Sequence, residues 1–120
     1  AIPSPGRAAA PSAPGPVRLA LVDDSELVRL GLRTLLELHR EHIEIVAEAA
    51  SVTEALACIP PARPDVVLLD MRLPDGTGVE ACRRLIAGTP GVRVLFLTSA
   101  VDDDLVADSI RAGASGYLLK

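Results

Sequence analysis

Lysine and aromatic residues are both scarce in this 120-residue sequence. Eleven of its twelve basic residues are arginines, and the single lysine is Lys120. There is one phenylalanine, one tyrosine and no tryptophan, and the formal net charge is −4. Binding to nucleic acid needs clustered Lys and Arg to neutralise phosphates, and no such cluster is present. We therefore do not expect this segment itself to bind DNA or RNA.

Cysteine is limited to Cys58 and Cys82. Both lie in helix-like segments and their separation is not a metal-ligand spacing, so we interpret them as buried reduced thiols, with a redox pair as the alternative. Long apolar runs are also missing, and the N-terminal segment lacks the apolar core of a signal peptide. These absences lead us to expect a soluble, cytoplasmic protein that does not engage a membrane.

The first part of the chain differs in composition from the rest. Residues 1–16 contain five of the ten prolines and no periodic apolar pattern. Such a segment cannot bury enough surface to offset its ordering entropy, so we expect a flexible leader rich in Pro and Ala. Residues 17–120 are expected to form one domain with a single core.

Within that domain, short apolar runs alternate with amphipathic segments of helical spacing, which predicts the order β-α-β-α-β-α-β-α-β. Three runs are continuously apolar, as central parallel strands are, and two have the features of edge strands. The central runs are 19–22, 66–69 and 94–97; the edge runs are 43–48 and 116–119. We predict an α/β fold with a doubly wound, flavodoxin-like parallel sheet of five strands in the order 2-1-3-4-5.

Helix boundaries are indicated by local signals. Two pairs have the spacing of a capping box, Ser51 with Glu54 and Thr77 with Glu80. Gly88 and Gly113 follow helical stripes, where we expect glycines in the left-handed conformation.

Polar side chains follow four of the predicted strands. Asp23 and Asp24 end the first strand, Asp70 the third, Thr98 the fourth and Lys120 the fifth. The first and third strands flank the topological switch point, the crevice where doubly wound folds bind ligands. We expect the three carboxylates to meet there, with Thr98 and Lys120 on the same edge of the sheet.

This combination of residue types suits phosphoryl chemistry. Converging carboxylates repel one another unless a cation lies among them, and Mg²⁺ prefers oxygen ligands of this kind. A loop rather than a helix follows Asp70, so we predict that its carboxylate attacks phosphorus to give an aspartyl phosphate. Lys120 and Thr98 would then contact phosphoryl oxygens. An arginine at position 120 would be long and rigidly forked for a tight pocket, which agrees with the isolated lysine.

Each residue alone also has a structural interpretation. An aspartate at a strand end is often a helix N-cap, and either Asp24 or Ser25 is a candidate cap for the first helix. The run 102–104, three consecutive aspartates, is interpreted as favourable charge at the start of the fourth helix, with a second metal site as the alternative. Because Asp23, Asp24, Asp70, Thr98 and Lys120 occur together at four strand ends, we favour the functional interpretation for these five residues.

From Val17 to Lys120 the sequence closely resembles the receiver domain of two-component response regulators, a CheY-like fold. The matching motifs are LVDDSELVRLGLRTLLE, DVVLLDMRLPDGTGVE, VLFLTSA and AGASGYLLK. The first and last resemble the LuxR-type (NarL/FixJ-like) subfamily, in which a helix-turn-helix domain follows the receiver.

The resemblance implies a role for each site residue. The implied metal ligands are the side chains of Asp23, Asp24 and Asp70 and the main-chain carbonyl of Arg72. Asp70 is also the implied phosphoacceptor, and Thr98 and Lys120 are implied to contact the phosphoryl group. Thr98 and Tyr117 are the implied switch pair, in which Tyr117 changes rotamer when Thr98 moves. It also implies Mg²⁺ as cofactor, a sensor histidine kinase as phosphodonor, homodimerisation on activation, and regulation of transcription through a DNA-binding domain outside this sequence.

The family fold has a fifth helix after the last strand, and this sequence stops at Lys120, so we expect a receiver domain that is incomplete at its C-terminus. Two alternatives remain. A phosphatase with an aspartyl-phosphate intermediate would need a second aspartate two residues after Asp70, where Arg72 stands. A phosphorylation-independent interaction module would not need the phosphoryl chemistry. We expect a phosphoacceptor signalling domain rather than an enzyme.

Overall fold

In the computed structural model, residues 15–99 and 103–120 are described. Seven strands and four helices follow one another within these ranges: β1 (Val17–Val22), α1 (Glu26–Glu37), β2 (Ile43–Ala49), α2 (Val52–Ala62), β3 (Val66–Asp70), β4 (Arg72–Leu73), β5 (Gly76–Thr77), α3 (Gly78–Gly88), β6 (Arg93–Thr98), α4 (Asp103–Arg111) and β7 (Gly116–Leu119). The predicted leader, residues 1–16, lies outside the described residues except for its last two.

Five of the strands form one parallel sheet in the order β2-β1-β3-β6-β7. The predicted order is confirmed, because β6 and β7 are the fourth and fifth long strands of the chain. The sequence pattern did not predict β4 and β5, which pair only with each other as a short antiparallel hairpin after β3. This hairpin lies in the loop between Asp70 and α3.

The helices cover the sheet unequally. The larger apolar cluster joins one sheet face to α2 and α3 and includes Phe96, Ile59 and Leu85, all with no measurable exposure. The smaller cluster, built on Leu21 and its neighbours, packs against Leu32 and Leu36 of α1. No residue of α1 is fully buried. None of the helices in the described ranges is both long and apolar enough to cross a membrane.

Three helices begin with a hydroxyl cap. The side chains of Ser25, Ser51 and Thr77 each accept a hydrogen bond from a main-chain amide three residues later, at 3.1–3.2 Å. Both predicted capping-box starts are therefore correct, and Ser25 rather than Asp24 caps α1. These caps place the helix starts beside the carboxyl ends of the strands.

The helix ends agree less well with the sequence signals. Gly113 has the predicted left-handed conformation, with φ of 99°. Gly88 does not: it is the last residue of α3, and the left-handed glycine is Gly91. The reason is Pro90, which disfavours helical geometry in the residue before it, so that Thr89 leaves the helix with φ of −135° and ψ of 83°, and the left-handed turn comes two residues later.

Candidate phosphoryl and metal site

The carboxyl ends of β1 and β3 bring three aspartates together. One side-chain oxygen from each of Asp23, Asp24 and Asp70 lies within 4.8 Å of the others. Asp23 and Asp70 are buried, with 1% and 8% exposure, whereas Asp24 is open to solvent. In the described part of the chain this is the one group of three or more acidic, histidine or cysteine side chains with metal-binding geometry.

Lys120 reaches this cluster from the end of β7. Its Nζ lies 2.9 Å from Oδ2 of Asp23 and 3.1 Å from Oδ2 of Asp70. Burial of the ammonium lowers the pKa of Lys120, but hydrogen bonds to both carboxylates and their charges outweigh that effect and leave the pKa above its usual value. The main-chain amide of Lys120 donates to the carbonyl of Thr98 at 2.8 Å, which anchors the residue to β6.

Main-chain contacts orient the two buried carboxylates. Oδ1 of Asp23 accepts a hydrogen bond from the amide of Ser25 at 2.8 Å, and Oδ1 of Asp70 accepts one from the amide of Arg72 at 3.3 Å. The second oxygen of each carboxylate is thus left to face Lys120. The site therefore presents two fixed oxygens, one solvent-facing carboxylate and one cation.

A clamp that the sequence analysis missed holds the turn after β1. Arg29 of α1 donates from Nη1 to the carbonyl of Asp23, and its Nε lies 3.4 Å from Glu48 at the end of β2. Glu48 also accepts a hydrogen bond from Arg33 at 2.6 Å. The sequence carries no signal for this clamp, because its members come from separate elements and are ordinary charged residues of an amphipathic helix and an edge strand.

A cleft of about 450 Å³ opens beside Asp70. Asp70, Arg72 and Thr98 line it together with Asp108 of α4. The structure therefore brings Thr98 to the same cleft as Asp70. It also places Arg72 there, exposed, in β4 directly after the loop residue Met71.

Tyr117 is not among the residues that line the cleft. It is 43% exposed on the edge strand β7 and is the register partner of Phe96, whereas Thr98 pairs with Leu119. Register partners in adjacent strands point to the same face of a sheet, and residues two apart in a strand share a face, so Tyr117 lies on the same side as Phe96 and Thr98, the side of α2 and α3. The predicted switch role of Tyr117 remains a prediction.

The described acidic residues at the start of α4 lie where the dipole argument predicts. Asp103 and Asp104 lie in its first turn, where negative charge is favourable. Asp102 lies outside the described residues. Neither described aspartate belongs to a group with metal-binding geometry among the described residues.

Gly78, at the start of α3, packs against the main chain of Asp70 and was not singled out from the sequence. A Cβ on Gly78 would lie 2.3 Å from the carbonyl oxygen of Asp70 and 2.9 Å from Cε1 of Phe96. Only a residue without a side chain allows α3 to approach β3 so closely. A glycine directly after a helix N-cap is a weak sequence signal for such an approach.

Comparison with known proteins agrees with this geometry. The family description "Response regulator receiver domain" matches residues 19–120. The chain is 53% identical over 104 residues to the DNA-binding transcriptional activator DevR/DosR of Mycobacterium tuberculosis, covering 87% of this chain and 48% of that protein. It is 40% identical over 104 residues to the transcriptional regulatory protein LnrK of Bacillus subtilis, covering 87% of this chain and 47% of that one. The chain thus spans about half the length of the curated relatives it matches.

Solved structures give the same result. A LuxR-family two-component response regulator from an Aurantimonas species is similar, with a TM-score of 0.81, 37% identity, and coverage of 88% of this chain and 74% of that one. The receiver domain of the putative response regulator NarL from Mycobacterium tuberculosis is similar with a TM-score of 0.81, 32% identity, and coverage of 88% and 85% respectively. The chain therefore belongs to the receiver-domain family of two-component response regulators, with LuxR-family relatives.

Proposed function

We propose that this domain is a phosphorylation-controlled switch in which Asp70 accepts a phosphoryl group from the phosphohistidine of a sensor histidine kinase. The observation that carries the proposal is the position of Lys120, whose Nζ lies within 3.1 Å of both Asp23 and Asp70; Asp70 also lines the cleft. A lone cation held between two buried carboxylates can move to an incoming phosphoryl oxygen without leaving the site.

The donor set fits Mg²⁺. The ion favours oxygen ligands, one or two carboxylates and several waters, and Asp24 leaves the cluster open to solvent. We assign the ligands to the side chains of Asp23, Asp24 and Asp70 and to the main-chain carbonyl of Arg72. When bound, the ion would offset the negative charge that the phosphoryl group brings to these carboxylates.

The protein's own groups handle the transfer. A carboxylate oxygen of Asp70 attacks phosphorus, the P–N bond to the kinase histidine breaks, and the electron pair of that bond stays on the imidazole. The amide of Arg72 already holds Oδ1 of Asp70, so the attacking carboxylate enters the reaction with one rotamer fixed. Lys120 and Thr98 contact the transferred oxygens.

Switching would follow from the new charge. A phosphoryl group beside Thr98 draws its hydroxyl toward the site, and Tyr117 on the neighbouring strand changes rotamer. The face formed by α4 and β7 then shifts between two packings, which needs only a difference in population. Homodimerisation on activation, a cytoplasmic location and control of transcription through a separate DNA-binding domain complete the proposal. The names of the relatives, which include a DNA-binding transcriptional activator, support the last point.

The test is incubation with acetyl phosphate and Mg²⁺, read by intact-protein mass. The wild type should gain one phosphoryl group and Asp70→Asn should gain none. No gain on the wild type would favour an interaction module that works without phosphorylation. A gain that survives in the variant would displace Asp70 as acceptor, and continuous phosphate release with turnover would favour a phosphatase.

A further inference from the structure

The loop after Asp70 is held at its base and at its tip. At the base, Arg72 pairs with Thr77 across the β4–β5 hairpin, and the amide of Gly78 donates to the carbonyl of Met71 at 2.8 Å. An isolated two-stranded hairpin is marginal in water, and this one has two residues in each strand. The base alone is therefore a weak support for the main chain of Arg72.

Asp75 holds the tip. Its carboxylate accepts hydrogen bonds from the amide of Val52 at 2.7 Å, the amide of Thr53 at 3.0 Å and the hydroxyl of Thr53 at 2.7 Å. Among the described residues, the side chain of the N-cap Ser51 accepts a hydrogen bond only from the amide of Glu54. Asp75 therefore satisfies the amides of Val52 and Thr53, which have no acceptor within the first turn of α2. The side chain of Asp75 thus acts as a second cap supplied by another segment of the chain.

The surroundings of this contact agree with a fixed joint. The hydroxyl and amide of Thr53, followed by the amide of Val52, lower the pKa of Asp75 to about 2, so that the carboxylate is charged at neutral pH. A negative charge at a helix N-terminus is favourable. The next residue, Gly76, packs closely enough that a Cβ there would lie 3.2 Å from Cγ2 of Val52.

We propose that Asp75 is a positioning residue for the metal site: by fastening the hairpin tip to α2, it holds the main chain of Arg72 where its carbonyl faces the aspartate cluster. This inference rests on the proposed function, because it assigns the carbonyl of Arg72 as a ligand. Groups that orient metal ligands without touching the metal typically change affinity 10- to 100-fold when removed. Asp75 acts through the main chain, so we expect the lower end of that range.

A purely structural role for Asp75 would be to stabilise α2. The chain offers a matched control, since Ser51→Ala removes a cap of the same helix terminus with no link to the loop. Both variants should lower stability, but only Asp75→Ala frees the hairpin. Thr53→Val is an intermediate case, because it removes the side-chain bond to Asp75 and keeps both amides.

The experiment measures Mg²⁺ binding to the full chain by calorimetry, and hydrogen exchange of the Gly78 amide, for the wild type and these variants. For Asp75→Ala we expect an about tenfold higher Kd for Mg²⁺ and about tenfold faster exchange at Gly78. For Ser51→Ala we expect a Kd within about twofold of the wild type. Phosphorylation by acetyl phosphate gives a second measurement, the Mg²⁺ concentration at which the rate is half-maximal. In Asp75→Ala the fold-increase in this concentration should exceed the fold-decrease in the rate at saturating Mg²⁺.

Equal shifts in Asp75→Ala and Ser51→Ala would overturn the inference and assign the effect to α2. An unchanged Kd in Asp75→Ala, with the wild type binding Mg²⁺ normally, would overturn it alone and leave the proposed function intact. A wild type that neither binds Mg²⁺ nor accepts a phosphoryl group would overturn both.

Discussion

Replacing Lys120 by methionine should destabilise the domain in a way that Mg²⁺ largely repairs. The substitution keeps the apolar stem and removes the charge that lies 2.9 Å and 3.1 Å from the two buried carboxylates. Removing one partner of a fully buried ion pair costs about 3–5 kcal/mol, and exposed pairs contribute about 0–1 kcal/mol. The side chain of Lys120 is 27% exposed, so we expect a loss of about 2 kcal/mol without metal.

With saturating Mg²⁺ the deficit should shrink. The ammonium no longer competes for the carboxylates, and a tenfold tighter Kd returns about 1.4 kcal/mol of stability, which leaves a deficit of about 0.6 kcal/mol. At the same time the variant should lose most of its phosphorylation by acetyl phosphate, because it lacks the cation that we propose for a phosphoryl oxygen.

Urea unfolding followed by far-ultraviolet circular dichroism, with and without Mg²⁺, measures the effect without needing tryptophan. Arg111→Met is the matched control: it breaks an exposed pair with Asp108, and should change stability by less than about 0.5 kcal/mol in either buffer. A loss in Lys120→Met that is the same with and without Mg²⁺ would refute the reasoning, since it would mean that the ammonium does not offset the charge of the carboxylates.

Three further predictions concern other parts of the molecule. The pKa of Lys120 in the folded protein is raised above its ordinary value of 10.5. The stabilisation by its charge is therefore fully present below pH 10.5 and is lost as the pH rises through the folded pKa. The free energies of unfolding of the wild type and Lys120→Met, measured in urea, should converge at high pH and stay different near neutrality. Gly78→Ala should lower the free energy of unfolding by about 3 kcal/mol, because the new Cβ would meet a main-chain carbonyl at 2.3 Å. Gly31→Ala is the control: its Cβ has nothing within 4 Å, so it should raise the free energy of unfolding by about 0.5–1 kcal/mol. Equal effects of the two variants in thermal melts would contradict the packing argument. Burial raises the pKa of Cys82 to about 11. Its thiol should therefore resist iodoacetamide at about pH 8 until the protein unfolds. If the native and the unfolded protein were alkylated at the same rate, the Cys82 thiol would be accessible and the prediction wrong.

The features that the sequence predicted are those with a periodic or local signal. Apolar runs identified the five long strands and their order, and hydroxyl residues three positions before a glutamate identified two helix starts. Because the carboxyl ends of parallel strands lie at one edge of a sheet, the same pattern predicts that Asp23, Asp70 and Lys120 lie near one another.

The features that the sequence did not predict are contacts between residues far apart in the chain. Arg29 meets Glu48 across 19 positions and Asp75 meets Val52 across 23. Each of these residue types is common on a protein surface, so composition gives no reason to pair them. The sequence also did not predict the left-handed conformation of Arg63 at the end of α2, with φ of 50°. Prolines usually end a helix, but α2 continues through Pro60 and Pro61 before it ends.

The close packing at Gly78 has a mechanical consequence for signalling. The start of α3 packs so closely on the main chain of β3 and the ring of Phe96 that a Cβ at Gly78 would overlap both. Protein interiors at this density do not compress, so the base of the site cannot absorb an added group. The cleft between Val79 of α3 and the side formed by Thr98 and Asp108 has open volume. We therefore expect a change in size or charge at Asp70 to displace the β6–α4 side of the site more than α3.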